Sequence, residues 1–395
     1  MAIEKINGVI SVASNSYNIP TGYGQQVKFL IDRLVKHGIK TANLSNFGLQ
    51  GSISEIKTPH GKVPHYPMGY KTYSDDAIPV WHNDFKSEYP LLKDAVLTLY
   101  DQWVYNDMKF DGRIIAWTPL DHVTLPPAVT KFLTRENVTV VTMSPHGQRQ
   151  LEKAGIDSVY IPHGIDTKVM KPTQTVFNGI PTRDYLDVPK DAFLVSLVQA
   201  NKSNGLVHRK ALSEQLMAFS IFKQTHPDAY LYLHSEPSNA FGGFNIPQML
   251  RSVGLDEKCV RILDQNINRI GYPPEYLAAV YTASDVMLQV SYGEGFGIPV
   301  VEAQACGTRV ITSNWAATQD LAGPDSYLVD GQPFWDEPQA AFYNIPNISS
   351  IVNALNLSYD APRGVSKASI EFAKDFDVDR VWSWYWMPFL REFFS

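Results

Sequence analysis

Val290-Ser-Tyr-Gly-Glu-Gly-Phe-Gly-Ile-Pro-Val-Val-Glu-Ala-Gln-Ala-Cys-Gly307 is the stretch around which the rest of the chain is organised. An apolar run from Val286 to Val290 leads into it and reads as a strand. Glycines at positions 293, 295 and 297 let the backbone approach a ligand without Cβ interference. Pro299 suits the first turn of a helix, and Gly307 suits its end. A strand, a glycine turn and a helix N-terminus together favour an anion, because unpaired N–H groups and the helix dipole face it. Two carboxylates, Glu294 in the turn and Glu302 in the helix, have seven residues between them. The first can face a reacting centre, and the second can reach ligand hydroxyls one turn deeper.

Glu-Gly-Phe-Gly-Ile-Pro at 294–299, the second glutamate at 302 and Ala-Gln-Ala-Cys-Gly at 303–307 stand in one register. They resemble the signature of the retaining, sugar-nucleotide-dependent glycosyltransferases of family 4. The resemblance implies an α/β chain of GT-B architecture, with two Rossmann-like domains facing across a cleft and a C-terminal helix crossing back to the first. Residues 1–175, completed by 377–395, are the expected acceptor-binding domain, and 176–376 the expected nucleotide-sugar domain.

The composition agrees with a chain of that kind. At 395 residues there is room for two domains with sizeable cores. A content of 44% hydrophobic and 19% charged residues is that of a folded protein. The net charge of −6, without a long basic run, speaks against a dedicated nucleic-acid binder. Cys259 and Cys306 form no motif, so no disulfide is expected and a reducing compartment fits. The opening Met-Ala-Ile-Glu-Lys-Ile lacks a signal peptide's basic start and apolar core, and no window reaches 18 uninterrupted apolar residues. A cytoplasmic location is expected.

In the first half, residues 6–13 read as a buried parallel strand, and Val27, Leu30, Ile31, Leu34 and Val35 as one face of the helix that follows. Ile39–Leu44 completes a βαβ unit. Further strands are predicted at Ile78–His82, Ala95–Tyr100, Arg113–Thr118, Val138–Ser144 and Ser158–Pro162. Ligands of parallel sheets bind at the carboxyl ends of strands, which marks His82-Asn83, Asp101, Asp121-His122 and Ser144 as polar candidates. Gly22-Tyr-Gly24 resembles the family's glycine loop facing the donor diphosphate. The loop at 117–127 resembles the one that places a His or Asp near the transferred sugar, which points to His122 first and Asp121 second. A neutral His122 would hydrogen-bond a sugar hydroxyl. Ile161-Pro-His-Gly-Ile-Asp166 resembles the family's crossover segment, with His163 where Asn is usual. The residues after Pro172, to about Asp191, look like a linker with an extended excursion.

The second half opens with a strand at Phe193–Ala200 and a helix whose stripe is Leu212, Leu216, Phe219 and Phe222. Arg209-Lys210 resembles the basic pair that holds the donor diphosphate at a helix start, with Lys202 a further candidate. The loop before it is longer than in many relatives. Strands are predicted at Tyr230–His234, Cys259–Leu263 and Val310–Thr312, and the Gly-rich polar stretch 234–245 is placed along the cleft. Residues 263–272 occupy the place where relatives hold the nucleotide base. The aromatic tail, 377–395, is expected to pack on the first domain, and Asp377-Val-Asp379 to cap a helix rather than hold a metal.

The resemblance implies a metal-independent retaining transfer of a hexose-type sugar. Arg209 and Lys210 hold the diphosphate, Glu294 with Gly295, Phe296 and Gly297 orients the sugar, and Glu302 holds the ribose. No cofactor is expected beyond the nucleotide-sugar substrate. The acceptor is open among a glycan, a lipid, a small molecule, a protein and a modified nucleobase. Other readings are an epimerase or phosphorylase on the same fold, or a non-catalytic sugar-binding module. The joint presence of Glu294, Glu302 and Lys210 speaks against the last.

Overall fold

The structure, a computed structural model, describes residues 4–203, 207–238 and 242–395, and only the backbone at positions 269 and 270. Parts of three stretches named above therefore lie outside the described residues: 1–3 of the N-terminus, 204–206 of the loop before Arg209, and 239–241 of the Gly-rich stretch.

Eight strands build the first sheet: β1 (Val9–Asn15), β2 (Lys40–Phe47), β3 (Ser54–Thr58), β4 (Gly61–Tyr66), β5 (Asp94–Leu99), β6 (Ile114–Thr118), β7 (Val138–Thr142) and β8 (Val159–Tyr160). Their order is β3-β4-β2-β1-β5-β6-β7-β8, parallel throughout except for the β3–β4 pair. A small ribbon follows, β9 (Thr175–Val176) with β10 (Ile180–Pro181). The second sheet comprises β11 (Phe193–Val198), β12 (Ala229–His234), β13 (Val260–Ile262), β14 (Val286–Gln289), β15 (Arg309–Ser313) and β16 (Tyr327–Val329). It is wholly parallel, in the order β13-β12-β11-β14-β15-β16. A hairpin, β17 (Gly331–Asp336) with β18 (Ala341–Pro346), completes the strands.

Continuous apolar runs become central strands because a parallel sheet is covered on both faces. Every residue of β1 and of β11 is buried. The Gly22–Lys36 helix buries Val27, Leu30, Ile31 and Leu34 against the first sheet. The Leu212–Thr225 helix buries Leu216, Phe219 and Phe222 in a separate core under the second.

One expectation is corrected and another refined. Ile78–His82 is the start of a helix, Ile78–Lys86, with Pro79 in its first turn. A five-residue apolar run does not distinguish helix from strand, and proline at a helix start is favourable. The stretch after Pro172, expected as a linker with an extended excursion, contains the β9–β10 ribbon and a helical turn at Thr182–Tyr185. Arg183 ties that turn down by donating to the carbonyls of Ala192 and Ala283 and to Asp285.

The tail returns to the first sheet. Ile165 N donates to Phe376 O, and Val378 N to Ile165 O, each at 2.8 Å. Trp386 packs edge-on against Trp117 with ring centroids 5.0 Å apart, and Arg113 donates to Phe393 O at 3.0 Å. Asp377 accepts from the N–H groups of Asp379 and Arg380, so the Asp-x-Asp caps a helix. Among the described residues no helix is long and apolar enough to cross a membrane.

Candidate active site

The turn at 290–297 and the turn at 209–211 are joined through their backbones. Tyr292 N donates to Arg209 O at 2.7 Å, and the Arg209 guanidinium donates to Gly293 O at 3.0 Å. The carbonyl of Lys210 accepts from the side-chain amides of Gln199 and Gln215, each at 2.8 Å. These contacts fix both cations before any side-chain pairing is considered. Ala211 then takes a left-handed backbone, φ 49°, and the helix begins only at Leu212. Arg209 and Lys210 therefore lie on the turn immediately ahead of the helix and not inside its first turn.

Both cations converge on Glu294. Lys210 Nζ is 2.5 Å from Glu294 Oε1, and Arg209 Nη1 is 3.2 Å from Glu294 Oε2. Glu294 is only 7% exposed. Burial opposes its charge, but Lys210 and Arg209 outweigh that and hold its pKa below the ordinary carboxylate value. Burial lowers the pKa of Lys210, with Glu294 working against the shift. The two glycines before Phe296 are required by close approach across the cleft. A Cβ on Gly293 would lie 2.1 Å from Asp121 O, and one on Gly295 would lie 2.3 Å from Pro119 Cβ. Gly297 has φ 119° and precedes the Ile298–Ala305 helix. The backbone N–H groups of Phe296 and Gly297 make no hydrogen bond among the described residues. The Phe296 ring itself packs beside His163 and Phe376 and belongs to the core.

From the first sheet, Asp121 and His122 follow β6. Asp121 lies 3.9 Å from Arg209 Nη1 and so joins the network around Glu294. His122 departs from the expectation of a neutral ring free to bond a sugar hydroxyl. Its Nδ1 is 2.8 Å from Asp121 Oδ1 and its Nε2 is 3.1 Å from Asp336 Oδ2. The ring also stacks on Tyr343, centroids 3.9 Å apart, and is buried. Burial pushes its pKa down, but Asp121 and Asp336 prevail and raise it. His122 is thus held between two carboxylates that favour its charged form, and its contact with the site runs through Asp121.

Asp336 and Tyr343 come from the β17–β18 hairpin, which the sequence reading passed over. The hairpin is anchored to the His122 loop by two mutual hydrogen bonds, Val123 N to Phe342 O at 2.9 Å and Phe342 N to Val123 O at 3.0 Å. A signal was present: two aromatic runs, Phe334-Trp335 and Phe342-Tyr343, flank Glu337-Pro338, a turn pattern.

The remaining candidates divide. Gly22 sits at the cleft, where a Cβ would come within 3.3 Å of Ile298 at the start of the signature helix. Gly24 packs beneath the carbonyl of Ile19. Glu302 is separate from the Glu294 network: Tyr281 donates to it at 3.3 Å and Gln25 at 3.5 Å, and burial pushes its pKa up to about 7. Asp101 follows β5, and burial together with the neighbouring Asp121 raises its pKa to about 6. His82 is not at the cleft; it is buried between Ser11 and Asp94. Ser144 caps the helix that starts at Pro145. His163 is wedged between Trp117 and Phe296, and burial drives its pKa down to about 3, so it is neutral.

Residues 249–336 match the family described as Glycosyl transferases group 1. The D-inositol 3-phosphate glycosyltransferase of Rhodococcus opacus (strain B4) is 36% identical over 104 residues, 26% of this chain and 23% of that protein. An uncharacterized glycosyltransferase of Sulfolobus islandicus rod-shaped virus 1 is 23% identical over 213 residues, 53% of this chain and 57% of that protein. The chain spans less than two thirds of the length of either relative. Among solved structures, sucrose-phosphate synthase from Thermosynechococcus elongatus superposes with TM-score 0.72 at 17% identity, covering 98% of this chain and 99% of that one. Anabaena HepE, solved with UDP and glucose, superposes with TM-score 0.64 at 16% identity, covering 95% and 97%. With the two facing parallel sheets, these likenesses make the fold GT-B.

Proposed function

Because the chain is a GT-B protein with a group 1 glycosyltransferase segment at residues 249–336, we propose that it moves a hexose from a nucleotide-diphosphate sugar to an acceptor hydroxyl, with retained anomeric configuration. The observation that carries this reading is the convergence of Arg209 and Lys210 on Glu294 at the opening of the Ile298–Ala305 helix.

In this reading the donor diphosphate takes the place of Glu294 beside the two cations, which offset its charge as it leaves. The released Glu294 carboxylate, with the N–H groups of Phe296 and Gly297 and the backbone of Gly295, binds the outer hydroxyls of the sugar. Gly22 and Gly24 close the diphosphate from the opposite side. Glu302, near its titration midpoint at neutral pH, can both donate to and accept from the ribose hydroxyls. Asp121, held by His122, faces the reacting centre from the first sheet. Rate acceleration then comes from positioning and from charge stabilisation of an oxocarbenium-like state, without a metal ion. The acceptor is assigned to residues 1–175 with 377–395, the donor to 176–376, and the location to the cytoplasm.

The test is turnover of UDP-, GDP- and ADP-hexoses with and without a pool of acceptors. Nucleoside diphosphate release that needs an acceptor, with a product anomeric proton matching the donor's configuration, is expected. An epimerised donor, a requirement for inorganic phosphate, or no turnover at all would contradict it.

A further inference from the structure

A file of aromatic rings leads away from the charged centre along the first sheet. Tyr23, in the first turn of the Gly22–Lys36 helix, lies 5.3 Å from Tyr100, which follows β5. Tyr100 lies 5.5 Å from Tyr73, and Tyr73 lies 5.9 Å from Trp103. The inner end is near the reacting groups: Tyr23 is half-buried, and the charges of Asp101, Arg209 and Asp121 all act on its hydroxyl. The outer end reaches solvent, with Trp103 exposed. The rings are held by backbone contacts. Asp76 accepts from the N–H groups of Tyr70 and Lys71, and the Ser74 hydroxyl donates to Ser45 O, which fixes the loop carrying Tyr73. Gln102, buried against Thr98 and Tyr100 O, fixes the turn carrying Trp103.

Asp101 stands at the inner end of this file, and its carboxyl makes no hydrogen bond or ion pair among the described residues. That carboxyl is only partly buried and is free to accept from a ligand hydroxyl. Of the cations facing it, Arg209 is one the proposed donor diphosphate would occupy. Lys71, two residues from Tyr73, is held by Asp75 at 2.9 Å. A phosphate on the acceptor would thus meet the like charge of Asp101, with Arg209 and Lys71 already paired.

We propose, resting on the transferase reading above, that the acceptor is a neutral glycoside whose pyranose face lies along Tyr23, Tyr100, Tyr73 and Trp103 and whose attacking hydroxyl is held by Asp101. The C–H bonds on one face of a pyranose carry slight positive charge and meet the negative face of an aromatic ring. Each such contact contributes a little, and several rings around one sugar add up. The file thereby separates this chain from a transferase built for a phosphorylated polyol.

The experiment is saturation-transfer NMR on the full chain with methyl glucoside, methyl galactoside, methyl mannoside and the 6-phosphates of the three free sugars. At least one neutral glycoside is expected to show saturation concentrated on the C–H protons of one face, with its phosphate binding more weakly. Trp103→Ala is expected to weaken that binding about tenfold, Trp103→Phe to restore it, and Asp101→Asn to weaken it without changing nucleotide binding. Stronger binding of the phosphates, silence of all neutral glycosides, or saturation that survives both Trp103→Ala and Asp101→Asn would overturn the proposal. Nucleotide binding distinguishes the two layers. If nucleotides bind while the glycosides are silent, the acceptor proposal falls and the donor reading stands; the reverse result sinks the donor reading alone.

Discussion

On the second-sheet side of the cleft, Glu294, Arg209 and Lys210 are placed by backbone contacts within two adjoining turns. On the first-sheet side, Asp121 and His122 are placed by Asp336 and Tyr343, which belong to a hairpin that follows the other sheet. The first half of the site is complete in one unit of the chain. The second half is complete only when the β17–β18 hairpin lies against the loop after β6. In the proposed reading a diphosphate is captured by local structure, whereas the Asp121–His122 pair acquires its geometry from the approach of the two sheets. If Asp121 has the role proposed above, its arrangement depends on the hairpin of the second half lying against the loop after β6.

The sharpest way to break this comparison is Glu294→Ala. Transfer is expected to fall on the order of a hundredfold or more, the scale of removing one preorganised contact to the transition state. Nucleotide binding should survive, since Arg209 and Lys210 remain and lose only a competing anion. If steady-state rates stay at the wild-type level, Glu294 is not the group that orients the sugar.

A smaller effect is expected from Asp336→Asn, which acts on the assembled half alone. His122 has a raised pKa despite its burial, so the stability it contributes is full below its unfolded value of about 6.5. That contribution is lost as pH rises through the higher folded value. The wild type should therefore lose more thermal stability than Asp336→Asn between neutral and alkaline pH, by about 1–3 kcal/mol for a charged hydrogen bond in a buried setting. An NMR titration of His122 should show its pKa falling in the variant, while nucleotide affinity stays unchanged. Equal pH slopes in the two proteins would show that the hairpin does not hold the histidine.

The contrast also explains what could be read from the chain. The donor half is legible because strand, glycine turn, helix and both carboxylates lie within residues 286–307, and local physics governs them. The βαβ unit and the central strands are legible because buried parallel strands are continuous apolar runs. The return of the tail to the first sheet agrees with its aromatic content. The setting of His122 is only half legible: Asp121, the stronger influence on its ring, is adjacent, but the second carboxylate, Asp336, is more than two hundred positions away. The turn placement of Arg209 and Lys210 depends on the left-handed Ala211, which no side-chain pattern announces. Ile78–His82 failed for a different reason, since its length is compatible with either element.

The central claim is that Arg209 and Lys210 form a diphosphate site that Glu294 occupies when no nucleotide is bound. A thermal-shift screen against UDP, GDP, ADP and their sugar conjugates, without added metal, tests it most directly. Binding adds stability as the logarithm of ligand concentration over dissociation constant, so a micromolar ligand at millimolar concentration adds about 4 kcal/mol. One base family should raise the melting temperature of the wild type, and Lys210→Ala should lose most of that shift. No shift with any nucleotide, or an undiminished shift in Lys210→Ala, would contradict the account.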